Sequence, residues 1–284
     1  MTTTRQVLIR LKDSGDWYSP IEYRAAMTQL AQRDRWLRGY GYTKRLDILH
    51  RYAPPSNVAI VQSVGGTMDA KIDPSRSHAR VFSSHEDRIG SGYADGTASD
   101  VPAAVGETRI GLVYHGTEHA PLDVPRLDMR GGIELLTEDR IIDGVLVGLD
   151  GEWLVSAPMG IKRRRMNYAS FDLAGIRTED LHCLIPVKTG NSKVKETARK
   201  LGEIEGIKYR PAAYNTPALS TCAAAGVCSG FCFALQGTFG FRSSRWSRAR
   251  TWAVLREAQR RGGEETVGRV LGMALDTLKP RGYA

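Results

Sequence analysis

Cysteine is scarce in this sequence, with four residues in 284, and no stretch approaches the run of about eighteen apolar residues that a membrane-crossing helix requires. The N-terminal MTTTRQVLIRLKDSGDW has only Val7-Leu8-Ile9 between Arg5 and Arg10, so no secretory or transit signal is indicated. The expectation is a cytoplasmic protein with no membrane partner. Four cysteines in a reducing compartment also make a poor disulfide framework. Acidic residues are in deficit as well, 31 against 40 lysines and arginines, and the resulting net charge is +9.

That excess is localised. Between Arg242 and Arg261 stand seven arginines (Arg242, Arg245, Arg248, Arg250, Arg256, Arg260, Arg261) against a single acid, Glu257, and the same run carries Trp246 and Trp252. Arginine contacts and aromatic stacking of this kind suit a nucleic acid or another phosphate-bearing partner. A solvated helix face beside two core-packed tryptophans accounts for the pattern equally well.

A composition 42% hydrophobic and 25% charged describes a globular chain with a large core, and its length suits one α/β barrel-like domain. Short apolar runs at Val7–Leu11, Leu37–Tyr42, Asn57–Ser63, Ala79–Ser83 and Ile110–Tyr114 are predicted strands. Ser19-Pro20-Ile21-Glu22 has the form of a capping box, which predicts a helix from Pro20 to about Arg33, and a short helix is expected over Leu46–Tyr52. Each strand is followed by polar or ionisable residues, the rhythm of parallel βα units whose strand ends collect function. Asp13, Ser14, Asp16, Thr43, Lys44, Ser63 and His115 therefore become candidates. Residues 90–107 read as loop.

From residue 119 to 181 the rhythm breaks. Gly144–Leu149 and Glu152–Val155 flank Asp150-Gly151, a hairpin signal. The alternation resumes with a predicted strand at Cys183–Val187 holding a core thiol, then Asn191 and Ser192 as caps of a helix over Lys193–Gly202. Two more helices follow at about Ser244–Arg260 and Glu264–Leu278. The division is 1–118 and 182–284 as barrel βα units, with 119–181 as a β-rich insertion or linker.

The remaining three cysteines, Cys222, Cys228 and Cys232, fall within eleven positions of STCAAAGVCSGFCFALQGTFG. Core cysteines have no reason to congregate, so shared chemistry is expected. Gly226 and Gly230 let the backbone fold the three sulfurs toward one point, which suits zinc with a fourth ligand or an iron-sulfur cluster with one iron left open. A structural zinc site needs a closed fourth position, and no histidine or further cysteine lies nearby in sequence to supply it. Incidental thiols are the third reading.

SGDWYSPIEYRAAMTQLAQRDRWLRGYGY with Thr43-Lys44, Pro55, Asn57 and Ser63, together with Gly190-Asn191-Ser192-Lys193 and the cysteine stretch, resembles the phage family called gene product eighty-eight. That family is similar, more distantly, to phage radical S-adenosylmethionine (radical SAM) proteins related to spore photoproduct lyase. The resemblance implies an incomplete (β/α) TIM-like barrel of radical SAM type. It further implies a 4Fe-4S cluster on Cys222, Cys228 and Cys232, with S-adenosyl-L-methionine on its open iron. Ser14, Asp16, Lys44, Ser63 and Asn191 would hold cofactor or substrate, and Asp16, Lys44 and His115 would serve catalysis. The substrate is left open, with the basic helix suggesting a nucleic-acid-derived one. The alternative is a zinc-stabilised, non-enzymatic nucleic-acid binder. The chain departs from the family pattern at Lys12, Ala223 and Phe233, where histidine, proline and tyrosine are usual. Its segments also run in the opposite order, which implies a circular permutation with 119–181 bridging the former ends.

Overall fold

The computed structural model describes residues 5–114, 140–142, 145–147, 153–155, 173, 175–218, 221–224, 226 and 242–283. The Ser19 hydroxyl accepts from Glu22 N at 3.2 Å and Pro20 follows, so helix α1 (Pro20–Ala31) begins as its capping residues dictate. The Glu22 carboxylate does not close the box on Ser19; it accepts from Tyr18 N at 3.0 Å and turns into the interior.

Strands β1 (Arg5–Leu11), β2 (Leu37–Thr43), β3 (Val58–Ser63), β4 (His78–Phe82), β5 (Ala94–Asp95), β6 (Arg109–Val113) and β10 (Lys208–Tyr214) form one curled parallel sheet, a half barrel in the order β10-β1-β2-β3-β4-β6-β5. Helix α2 (Leu46–Arg51) follows β2, and α3 (His85–Gly90) follows β4. Alternation along β1 divides the core. Val7, Ile9 and Leu11 pack on one face with α1 and the helical stretch α6 (Arg242–Asp276), whereas Leu8 joins Tyr40, Val61 and Ile110 under α4 (Val101–Val105) and α5 (Ser192–Glu205). The stretch α6 is two helices, because Gly262 and Gly263 have non-helical dihedrals, in keeping with the expected break between Arg260 and Glu264. Among the described residues no helix is long and apolar enough to cross a membrane.

Three expectations need correction. Cys183–Val187 is not a strand: Thr178–Leu184 forms a 3-10 helix with Leu181 buried, Ile185 ends it in an extended conformation, and Cys183 is exposed rather than a core thiol. The strand beside β1 is instead β10, whose Pro211 conceals it in the sequence but is tolerated where no full strand continues the ladder. Residues 90–107 are not all loop, since they contribute β5 and α4, with Pro102 in the first turn of α4. The expected hairpin is present as β8 (Val145–Val147) against β9 (Trp153–Val155). A third strand, β7 (Arg140–Ile142), pairs with β8.

Candidate functional site

The loop that leaves β1 runs Lys12, Asp13, Ser14, Gly15, Asp16. Gly15 has φ +79°, and a Cβ there would fall 2.5 Å from the hydroxyls of both Thr216 and Thr221. Glycine is thus required where this loop meets the segment leading into Cys222. Asp16 is buried, and its carboxylate accepts from Trp17 N at 2.7 Å, Thr43 Oγ1 at 2.7 Å and Lys44 N at 2.9 Å. Burial pushes its carboxyl above the usual range, while these donors and the Lys44 charge pull the other way. Asp16 N in turn donates to Thr221 Oγ1 at 3.2 Å.

Lys44, just past β2, donates through Nζ to Ser63 Oγ at 2.6 Å and to the Val64 carbonyl at 3.2 Å. Both acceptors are neutral. The segment 221–224 lies over these strand ends, because Thr67 N donates to the Ala224 carbonyl at 3.0 Å. Added Cβ atoms would lie 2.8 Å from Ala224 O at Gly66 and 2.8 Å from Gly65 O at Gly226. Backbone therefore meets backbone where half-buried Cys222 sits above the ends of β1, β2 and β3.

The structure thus gathers Ser14, Asp16, Lys44, Ser63 and Cys222 at one end of the sheet. Asn191 joins them from the start of α5, where its carbonyl oxygen accepts from Lys193 N at 2.8 Å and its Nδ2 donates to both Asp13 oxygens at 3.0 and 2.9 Å. The cap expected of Asn191 is made, and its amide group is taken up by a protein carboxylate. Asn191→Ala removes both, and a loss of about 1–2 kcal/mol is expected in urea unfolding. The Ser14 hydroxyl is buried with no hydrogen-bond partner among the described residues. His115, Cys228 and Cys232 lie outside the described residues. Among the described residues no group of three or more His, Cys, Asp or Glu could hold a metal ion.

A buried charge network beside the site was not read from the sequence. Fully buried Asp100 pairs with Arg10 and Lys193, each at 2.8 Å, and accepts from the Tyr42 and Tyr40 hydroxyls at 3.0 and 3.3 Å. Arg10 also reaches Asp13 at 3.0 Å. Burial alone would raise the Asp100 carboxyl, yet Arg10 and Lys193 hold it below the ordinary value. Burial pushes the Tyr40 and Tyr42 hydroxyls well up, and lowers Lys193. The one signal was an arginine inside the otherwise apolar run Val7–Leu11.

Four of the five arginines of the basic run whose side chains are described are engaged within the fold, the exception being Arg250, whose buried Nε has no hydrogen-bond partner among the described residues. Arg248 is buried, Arg256 lies over the Trp252 and Tyr18 rings at 5.1 and 5.7 Å, and Arg260 and Arg261 both bond Glu257. Arg261 also donates to the carbonyls of Leu173 and Ile176. Trp252 is buried, and the side chains of Arg242, Arg245 and Trp246 lie outside the described residues.

A family model described as Gene product 88 matches residues 2–125 and 186–283, leaving out 126–185. No curated protein and no solved structure matches the chain.

Proposed function

We propose, for a chain that belongs to the phage Gene product 88 family, an iron-sulfur enzyme of radical SAM type, with the mouth of the half barrel as its active site. The observation that carries this reading is the seat of the cysteine segment. Thr221 and Ala224 are bonded to the ends of β1 and β3, placing Cys222 over Asp16, Lys44 and Ser63. The donor set fits the group, since three soft thiolates from Cys222, Cys228 and Cys232 suit a 4Fe-4S cluster with one iron open. When bound with S-adenosylmethionine, such a cluster supplies a carbon-centred radical able to abstract a hydrogen atom.

The protein's own contribution is binding and orientation. Lys44 presents a half-buried ammonium whose two partners are neutral oxygens, a setting for a carboxylate such as that of S-adenosylmethionine. Asp16 fixes the strand end that carries Lys44 by accepting from Lys44 N and Thr43 Oγ1, so its role in this reading is positioning. Ser63 holds the Lys44 head. Lys44→Met is expected to weaken S-adenosylmethionine binding to reconstituted protein by about 10–100-fold, the worth of one charge-assisted bond, with iron content unchanged. Equilibrium dialysis reads this directly, and unchanged affinity contradicts the assignment.

The alternative, a zinc-stabilised nucleic-acid binder working through Arg242–Arg261, has less support because Arg248, Arg256, Arg260 and Arg261 are used within the fold. The circularly permuted order belongs to this proposal, and a contact of the C-terminal segment supports it. Leu278 O accepts from Arg210 Nη1 at 3.4 Å, and Arg210 is the register partner of Val7, so the chain beyond α6 reaches the end of the sheet where β1 starts. An order with 186–283 ahead of 2–125 makes β10, α6 and β1 consecutive, and leaves 119–181 as the bridging insertion. Host cytoplasm is the setting this reading implies.

A further inference from the structure

Lys12 does not belong to the machinery above, yet it is among the most constrained side chains in the fold. It is the one non-glycine with positive φ among the described residues, at 59°, a conformation that costs about 1–2 kcal/mol. Such strain persists only where surrounding contacts hold it. Its Nζ is buried between the Trp17 and Tyr214 rings, at 4.8 and 4.7 Å from their centroids, and bonds Glu22 Oε1 at 2.5 Å and Thr216 Oγ1 at 3.0 Å. Glu22 is held in turn by the Tyr214 hydroxyl at 2.5 Å and by Tyr18 N.

The contact to Thr216 begins a directed chain. Thr216 Oγ1 lies 3.0 Å from Thr221 Oγ1, and the Thr221 proton goes to the Pro217 carbonyl at 2.7 Å. Thr216 must therefore be the donor between the two hydroxyls. Thr221 Oγ1 also receives Asp16 N, and both threonines are fully buried. The next residue is Cys222.

We infer that Lys12 is a positioning residue for the cysteine segment, fixing the backbone before Cys222 through Thr216 and Thr221. The inference rests on the reading of Cys222 as a cluster ligand, but the relay itself exists in the metal-free chain and is tested there. The full-length, metal-free protein is alkylated with iodoacetamide and the rate at each cysteine is followed by mass spectrometry, with exposed Cys183 as the internal reference. Thr216→Val keeps the side-chain shape and cuts the relay; Lys12→Met removes the charge as well. Both variants are expected to raise the Cys222-to-Cys183 rate ratio several-fold. Should Lys12→Met fail to fold, Thr216→Val alone decides, and an unchanged ratio there overturns the relay. Thr216→Ser, which keeps the hydroxyl, is expected to hold the wild-type ratio; a ratio as high as that of Thr216→Val overturns the hydroxyl relay. Wild-type protein that takes up no iron refutes the cluster reading while the alkylation result still decides the relay.

Discussion

Asp100→Asn is expected to cost about 3–5 kcal/mol of folding stability, the toll of leaving buried charges without their partner. Asp100 is fully buried and receives Arg10 and Lys193 at 2.8 Å each. Without its charge, Arg10 keeps only Asp13, and Lys193 loses its ion-pair partner among the described residues. The network joins β1 and β2 to the starts of α4 and α5, since Asp100 N also donates to Thr197 Oγ1 at 2.7 Å. The loss should therefore appear as a lower urea midpoint with an unchanged slope. The folded-state carboxyl lies below its ordinary value of 3.8, so the stabilisation is complete above about pH 4 and disappears as pH falls through the folded value. The gap between wild type and Asp100→Asn should narrow as the solution is acidified below that point. A loss under about 1 kcal/mol at neutral pH, the range of a surface pair, contradicts the network's assigned role.

Gly15→Val is expected to be the most damaging single change at the strand ends. The new Cβ meets the hydroxyls of Thr216 and Thr221 at 2.5 Å and the Thr216 carbonyl at 2.7 Å, and the left-handed φ disfavours a β-branched residue independently. Relief requires the 216–221 segment to move, and Cys222 moves with it. A combined loss of about 2–4 kcal/mol follows from strain and overpacking. In metal-free protein the displaced segment should leave Cys222 more rapidly alkylated relative to Cys183. A variant with wild-type stability and wild-type cysteine reactivity contradicts the close contact described here.

Much of the scaffold was legible because local signals and tertiary demands agree. Ser19 and Pro20 start α1 as written, and the two glycines separating the C-terminal helices break them where the pattern does. Strand β2 reads weakly because of Gly39 and Gly41, but a Cβ on Gly41 would lie 2.5 Å from Leu11 O, so close approach of β1 sets that choice. Strand β10 was hidden by Pro211, and the 3-10 helix over Thr178–Leu184 by the apolar run Leu184-Ile185-Pro186-Val187 that overlaps its end. At the site, Asp16, Lys44 and Ser63 were found because strand-end polarity is a one-dimensional pattern. Asp100 was not, because its partners come from positions 10, 40, 42, 193 and 197, and no sequence period links them. Lys12 looked like the loss of a functional group; its contacts show an anchor tied to the segment before Cys222.

The proposed function turns on iron uptake by Cys222, Cys228 and Cys232. Anaerobic reconstitution of the full chain with iron and sulfide, followed by metal analysis with visible and electron paramagnetic resonance spectra, tests it most directly. About four irons per chain with charge-transfer absorbance are expected in the wild type, and loss of both in Cys222→Ser, Cys228→Ser and Cys232→Ser. A chain that binds one zinc and no iron, with the same metal content in all three variants, contradicts it.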